Sequence, residues 1–118
     1  MTSRVNTIVS KSHQSITTDS GGSSLAGQID VNEFTASIDM SNHQSVSFAI
    51  TSAETDSLEL WACNTVNGTF VFFDNLMSAG GMSGGIRHTV TSATPNFLRI
   101  KNQNNTFYSF SSIEVFKM

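Results

Sequence analysis

The sequence predicts an all-β chain folded as an antiparallel, jelly-roll-like β-sandwich of about eight strands with an extended N-terminal arm. Three observations predict it. Apolar residues recur at every second position between Glu33 and Lys117. Short runs of this kind are separated by Gly, Asn, Asp and Ser. No segment longer than two turns keeps a helical period. Successive strand side chains point to opposite faces, so such runs bury one face and wet the other.

The chain divides into an arm and linker, residues 1–24, and a sandwich domain, residues 25–118. In the arm, Val5 to Val9 and His13 to Thr18 are short strand-like pieces. Asp19-Ser-Gly-Gly-Ser-Ser24 then supplies a flexible connector. An edge strand of the same sandwich is the competing reading of this arm.

Glu33 to Met40 is expected to be a strand, with Phe34, Ala36, Ile38 and Met40 on one face. Asp39 to His43 ends it with turn chemistry. Gln44 to Ser52 sets Val46, Phe48 and Ile50 against Ser45, Ser47 and Thr51. Ser57 to Asn64 is apolar on both faces, with Leu58, Leu60 and Ala62 opposite Trp61 and Cys63. Asn67-Gly68 signals a type I′ hairpin turn into Thr69 to Asp74.

Ser78-Ala-Gly-Gly-Met-Ser-Gly-Gly85 holds four glycines in eight residues, a costly segment to order. Ile86 to Ser92 follows as a strand, and Pro95 closes the connection. Asn96 to Asn102 points Leu98 and Ile100 inward, Arg99 and Lys101 outward. Gln103 to Asn105 turns the chain. Thr106 to Lys117 carries Tyr108 and Phe110, then Ile113 and Val115 after a one-residue phase change, which predicts a β-bulge.

Composition excludes several functions. The net charge is −3, and the six basic residues are scattered apart from Arg99 and Lys101. Nucleic-acid binding needs several phosphate-neutralising cations on one surface. One cysteine, Cys63, rules out an intrachain disulfide and suits a buried small apolar site. No apolar run follows Arg4, and no stretch approaches the ~20 apolar residues of a membrane span. Neither a cleaved leader nor a span is expected.

Catalytic patterns are also missing. His13, His43 and His88 lack metal-ligand spacing. Gly81-Met-Ser-Gly-Gly85 is not a nucleophile elbow. The carboxylates fall mostly at turns and strand ends rather than as a pair facing a cleft. Asp30-Val-Asn-Glu33 offers oxygen donors that would suit a structural calcium, although no EF-hand pattern is present. The expectation is therefore a non-enzyme without cofactor or metal.

Instead, 19 Ser, 13 Thr and 10 Asn dominate a chain with only 13% charged residues. Such surfaces are wet without being repulsive, and suit packing against proteins or sugars. The candidate partner contacts are Arg4, Val5, Ile8, Val9 and Ile16 in the arm, with Gly80, Gly81 and Met82 in the glycine-rich loop. The arm would order by adding a strand to a neighbour. Trp61 and Tyr108, the single Trp and Tyr, are the candidate platforms for a glycan.

From Phe34 onward the chain resembles a small β-sandwich of tailed-bacteriophage virion structural proteins. The likeness lies in Ile38-Asp-Met-Ser-Asn42, the Ser-Val-Ser strand Gln44 to Thr51, the hairpin Leu58 to Phe73, and the last strand pair. In that pair, Phe97-Leu-Arg-Ile-Lys101 looks like the family's arginine-bearing strand. The loop Cys63 to Thr69 departs from the family's pattern. The resemblance implies a capsid decoration or cement protein, or a tail module. It also implies virion localisation, assembly as a homotrimer, and major capsid protein or other virion proteins as partners. A carbohydrate-binding module or tail-fibre component recognising host glycan is the alternative.

Overall fold

The computed structural model describes residues 11–19, 26–54, 56–65, 67–76, 86–90 (backbone alone) and 95–118. Within them the chain is all-β and holds ten strands, every paired ladder antiparallel, in three sheets. No helix of the described residues is long and apolar enough to cross a membrane.

The first sheet has the order β1 (Ser12–Ile16), β10 (Ser112–Lys117), β4 (Val46–Thr51), β7 (Ile86–Val90). Alternation dictates its inner face. Val46, Phe48 and Ile50 are buried on β4, and Ile113 and Val115 pair beside them on β10. Lys117 occupies the next inward position of β10. A buried ammonium needs a partner, and its Nζ donates to the Asp39 carbonyl at 2.9 Å.

The second sheet pairs β2 (Gln28–Ile29) with β9 (Tyr108–Ser109). The third has the order β3 (Ile38–Asp39), β8 (Phe97–Lys101), β5 (Glu59–Cys63), β6 (Val71–Asn75). Its inward residues are Ile38, Leu98, Ile100, Leu60 and Ala62. With those of the first sheet, and with Ile29 and Tyr108, they form one apolar cluster.

Several expectations are corrected. Residues 12–16 are not a loose arm. They pair with β10 over five residues, and Ile16 is 6% exposed in the core. Pairing and burial both reward this docking, so the boundary at residue 24 cuts through the first sheet. Glu33 to Met40 is not one strand. The Thr35 amide donates to the Ile100 carbonyl at 2.8 Å, and the Thr35 hydroxyl accepts from the Ile100 amide at 3.0 Å. A side chain thus replaces the ladder there, the phase slips, and Ala36 is exposed while Thr35 is buried.

The hairpin turn also differs. Gly68 donates to the Thr65 carbonyl at 3.2 Å, and the positive φ, 62°, belongs to Asn67 rather than Gly68. A type I′ turn on Asn67-Gly68 would need positive φ at both. The register shift in this hairpin lies between Leu60 and Trp61 on β5.

The phase change after Phe110 is a change of sheet, not a bulge. The Phe110 amide donates to Gly27 at 2.9 Å, and the next amide, Ser111, donates to Thr51 at 2.7 Å. The chain leaves β9 and enters β10 at that point. Gly27 has φ +84°, and a Cβ there would lie 3.1 Å from the Phe110 carbonyl oxygen, so glycine suits this corner.

Asn102 ties the sheets at their common end. It is fully buried, and its Nδ2 donates to the carbonyls of Ile29 (3.0 Å), Asp30 (3.2 Å) and Thr106 (2.9 Å). Its Oδ1 accepts from the Asn104 amide at 3.0 Å and from Asn104 Nδ2 at 2.8 Å. A carboxylate in that place would aim negative charge at three carbonyl oxygens. Asn102→Asp is expected to lower stability by about 3–5 kcal/mol. Urea unfolding measures this, and an unchanged midpoint would contradict it.

Candidate functional site

The outer face of the third sheet gathers most of the chemistry. Alternation on β8 turns Arg99 and Lys101 away from the core side chains Leu98 and Ile100. Register sets Trp61 opposite Arg99 on one side and opposite Phe72 on the other. Phe34 packs edge-on against Trp61, with centroids 5.5 Å apart at 83°, and Trp61 meets Phe72 at 6.5 Å and 89°.

The two cations lie over these rings. Lys101 Nζ is 4.5 Å from the Trp61 ring and 5.3 Å from Phe34. Arg99 Cζ is 4.8 Å from Phe70 and 5.9 Å from Phe34. Ring faces carry negative quadrupole charge, so each contact is worth roughly 0.5–1 kcal/mol at a partly open site. Arg99 Nε also donates to Ser37 Oγ at 3.2 Å. Glu59 faces Lys101 across the ladder, but its carboxylate accepts from Trp61 Nε1 at 2.9 Å. Beside Arg99 opens a depression of about 320 Å³ lined by Ser37, Thr65, Asn67, Gly68, Phe70 and Phe97.

A second cluster sits on the outer face of the first sheet. Ser15 Oγ donates to Glu114 Oε1 at 2.6 Å, and His13 Nε2 pairs with the same oxygen. His13 stacks on Phe116 at 4.9 Å and 20°. Serine, histidine and acid meet here without forming a nucleophile. The serine proton goes to the carboxylate, and a triad needs it on the histidine. Among the described residues no three His, Cys, Asp or Glu side chains converge as metal ligands. At the segment weighed for calcium, Asp30 Oδ1 accepts from the Val31 amide at 2.7 Å, and Asp19 Oδ2 accepts from the Asp30 amide at 2.9 Å. These carboxylates serve a turn.

The expected contact residues are distributed unevenly. Arg4, Val5, Ile8, Val9, Gly80, Gly81 and Met82 lie outside the described residues. Ile16 faces its own core and cannot meet a partner without unpacking it. Tyr108 is fully buried, so it offers no sugar platform. Burial pushes its phenol above the ordinary value. Trp61 keeps partial exposure on the ring-and-cation face. Phe34 and Phe70 complete that face and carry no sequence signal for it. Cys63 is 8% exposed, with Sγ donating to the Thr65 carbonyl at 3.2 Å.

Against known proteins the chain matches no family model, no curated sequence and no solved structure.

Two carboxylates sit below their ordinary pKa. The Ser15 hydroxyl and then His13 lower Glu114; the Ser41 amide lowers Asp39, with smaller help from the charges of Lys117 and His43. A folded pKa below the unfolded one means the unfolded chain binds more protons in acid. The stabilisation is complete above the unfolded values, ordinarily 4.5 for Glu114 and 3.8 for Asp39, and is lost as pH falls through the folded ones. Tm is expected to drop below about pH 4.5, and less steeply in Glu114→Gln. Identical acid slopes for the two proteins would exclude the Glu114 contribution.

Proposed function

We propose that this chain is a non-enzymatic virion structural protein, a capsid decoration or cement protein that assembles as a trimer and holds neighbouring subunits. Its sheets would form the two layers of a jelly-roll-like sandwich, with one face and one edge left for adhesion. The observation that carries the proposal is the edge strand β6, the terminal strand in the order of its sheet. Val71 is 59% exposed there and Phe72 49%.

Monomeric proteins protect such edges with charge, proline or cover, because an open edge with apolar side chains templates association. A protein whose working state is an assembly has a use for it. The low charge density of the chain fits the same reading, since Ser, Thr and Asn groups can be buried against a neighbour without stranding a charge. The major capsid protein or another virion protein is the partner this reading supplies.

A second reading, a tail or fibre component that recognises host glycan, is favoured by one observation. Trp61 stands partly open beside Lys101 and Glu59, next to the depression of mixed lining at Arg99. Aromatic, amide and charged groups side by side are what sugar recognition uses.

The first reading is tested at the edge. The wild-type protein is expected to run at trimer mass by light scattering and to sediment with purified virions. Val71→Asp with Phe72→Asp is expected to be monomeric and to stay in the supernatant, with its β-sheet circular-dichroism spectrum unchanged and its melting temperature lowered by the lost interface and Trp61 contact. A wild-type monomer at every concentration that also fails to sediment would overturn the proposal.

A further inference from the structure

We infer that the outer face of the third sheet is an anion-binding site, centred on Arg99 and Lys101, whose ligand is an acidic polysaccharide. The inference rests on the glycan-recognition reading and adds the charge of the ligand and the residues that meet it.

The first support is an imbalance. The chain has nine acidic residues against six basic ones, yet among the described residues no Lys or Arg lies within 4.0 Å of a carboxylate oxygen. Lys117 is buried on the Asp39 carbonyl, whereas Arg99 and Lys101 stand unmatched together on one face. The nearest acid by register, Glu59, is held by the Trp61 indole instead. Rings hold both cations in place, and a cation over a ring keeps its full charge and most of its donors for an incoming anion.

The second support is spacing and shape. Positions two apart on one strand face are separated by about 6.7 Å, so two fixed charges stand in line. A guanidinium takes a carboxylate or sulfate through two parallel hydrogen bonds, and an ammonium takes the next charge as a point. The depression beside Arg99 adds the hydroxyls of Ser37 and Thr65 and the Asn67 amide, partners suited to the hydroxyl groups of a sugar ring.

The same geometry argues against a nucleic acid. Single strands are held by stacking on open ring faces and by neutralising several phosphates. Here cations cover faces of Phe34, Phe70 and Trp61. Among the described residues only two cations stand together on this face, in a chain of net charge −3.

Affinity electrophoresis and titration calorimetry of the full chain test the site, with polygalacturonate, dextran sulfate, neutral dextran and an oligothymidylate as probes. Polygalacturonate is expected to bind and neutral dextran not. Added salt should weaken binding, Lys101→Gln by about tenfold, and Arg99→Gln at least as much. Arg99→Lys, which keeps charge and loses the fork, should fall between. Thermal unfolding checks each variant, and Lys101→Gln decides alone if Arg99→Gln does not fold. Tighter binding of dextran sulfate, lost in the same variants, supports the site with sulfate as its anion. Neutral dextran bound as well as polygalacturonate, with no effect of Lys101→Gln, overturns the anion site and leaves glycan recognition standing. No binding to any polysaccharide overturns both. Preference for the oligothymidylate overturns the ligand class.

Discussion

Three backbone carbonyls from two separate stretches of chain converge on one carboxamide, that of Asn102. The Ile29 carbonyl is buried and those of Asp30 and Thr106 are part-buried, and an unpaired buried carbonyl costs about 1–3 kcal/mol. The two N–H groups of Asn102 serve all three, one of them shared, and its oxygen receives the loop that returns toward β9. The residue stands one place after β8. Whatever fixes Asn102 therefore fixes the end of β8, and with it which β8 side chains face out. Ile100 must stay inward for Asn102 to reach Ile29 and Asp30. Lys101 between them then has only the outer face left. The ring-and-cation surface is thus a consequence of a buried polar clamp rather than of any preference of the cations themselves.

Alternation carried much of the fold in the sequence and failed where side chains entered the ladder. β4, β5, β8 and β10 were legible because Val46-x-Phe48-x-Ile50 and its counterparts obey the pleat without interruption. Thr35 was not. Its hydroxyl accepts the Ile100 amide in place of a backbone carbonyl, and no periodicity announces that substitution. The same blindness covers the phase change after Phe110. A bulge and a change of sheet leave identical traces in a hydrophobic pattern, because both shift burial by one residue. Only the separate partners of adjacent amides, Gly27 for Phe110 and Thr51 for Ser111, tell them apart. The Asn67 turn was legible as a turn but not as a type, since asparagine and glycine both accept a positive φ.

The candidate site shows the same division. Arg99 and Lys101 were readable as a pair on one face because they sit two apart between buried Leu98 and Ile100. Trp61 was readable as their neighbour's residue type but not as their neighbour, because strand order is a long-range fact. Phe34 was placed on the face of Ile38 and Met40 by counting through Thr35, and the slip at Thr35 turns it to the opposite face, beneath both cations. Tyr108 misled in the opposite direction. Tyrosine is amphipathic and its exposure depends on whether its hydroxyl finds a partner indoors. Its hydroxyl pairs with that of Ser52, whose own proton goes to the Ser109 carbonyl at 2.6 Å, and the side chain is fully buried.

The two outer faces also differ in how their charged groups are paired. On the first sheet, Glu114 gathers Ser15 and His13 around a single oxygen, so charge and partner are matched within the chain. That arrangement fastens β1, with His13 and Phe116 still exposed beside it. On the third sheet the acid turns to an indole and the cations to rings. A surface ion pair between Glu59 and Lys101 would contribute about 0–1 kcal/mol, no more than the ring contacts that replace it. Folding is thus indifferent between the two arrangements on energy. They differ in what they leave outside: an ion pair cancels its own field, whereas cations on rings do not. Stability alone gives no reason to keep Arg99 and Lys101 unmatched, and the reason is to be sought in what meets that face.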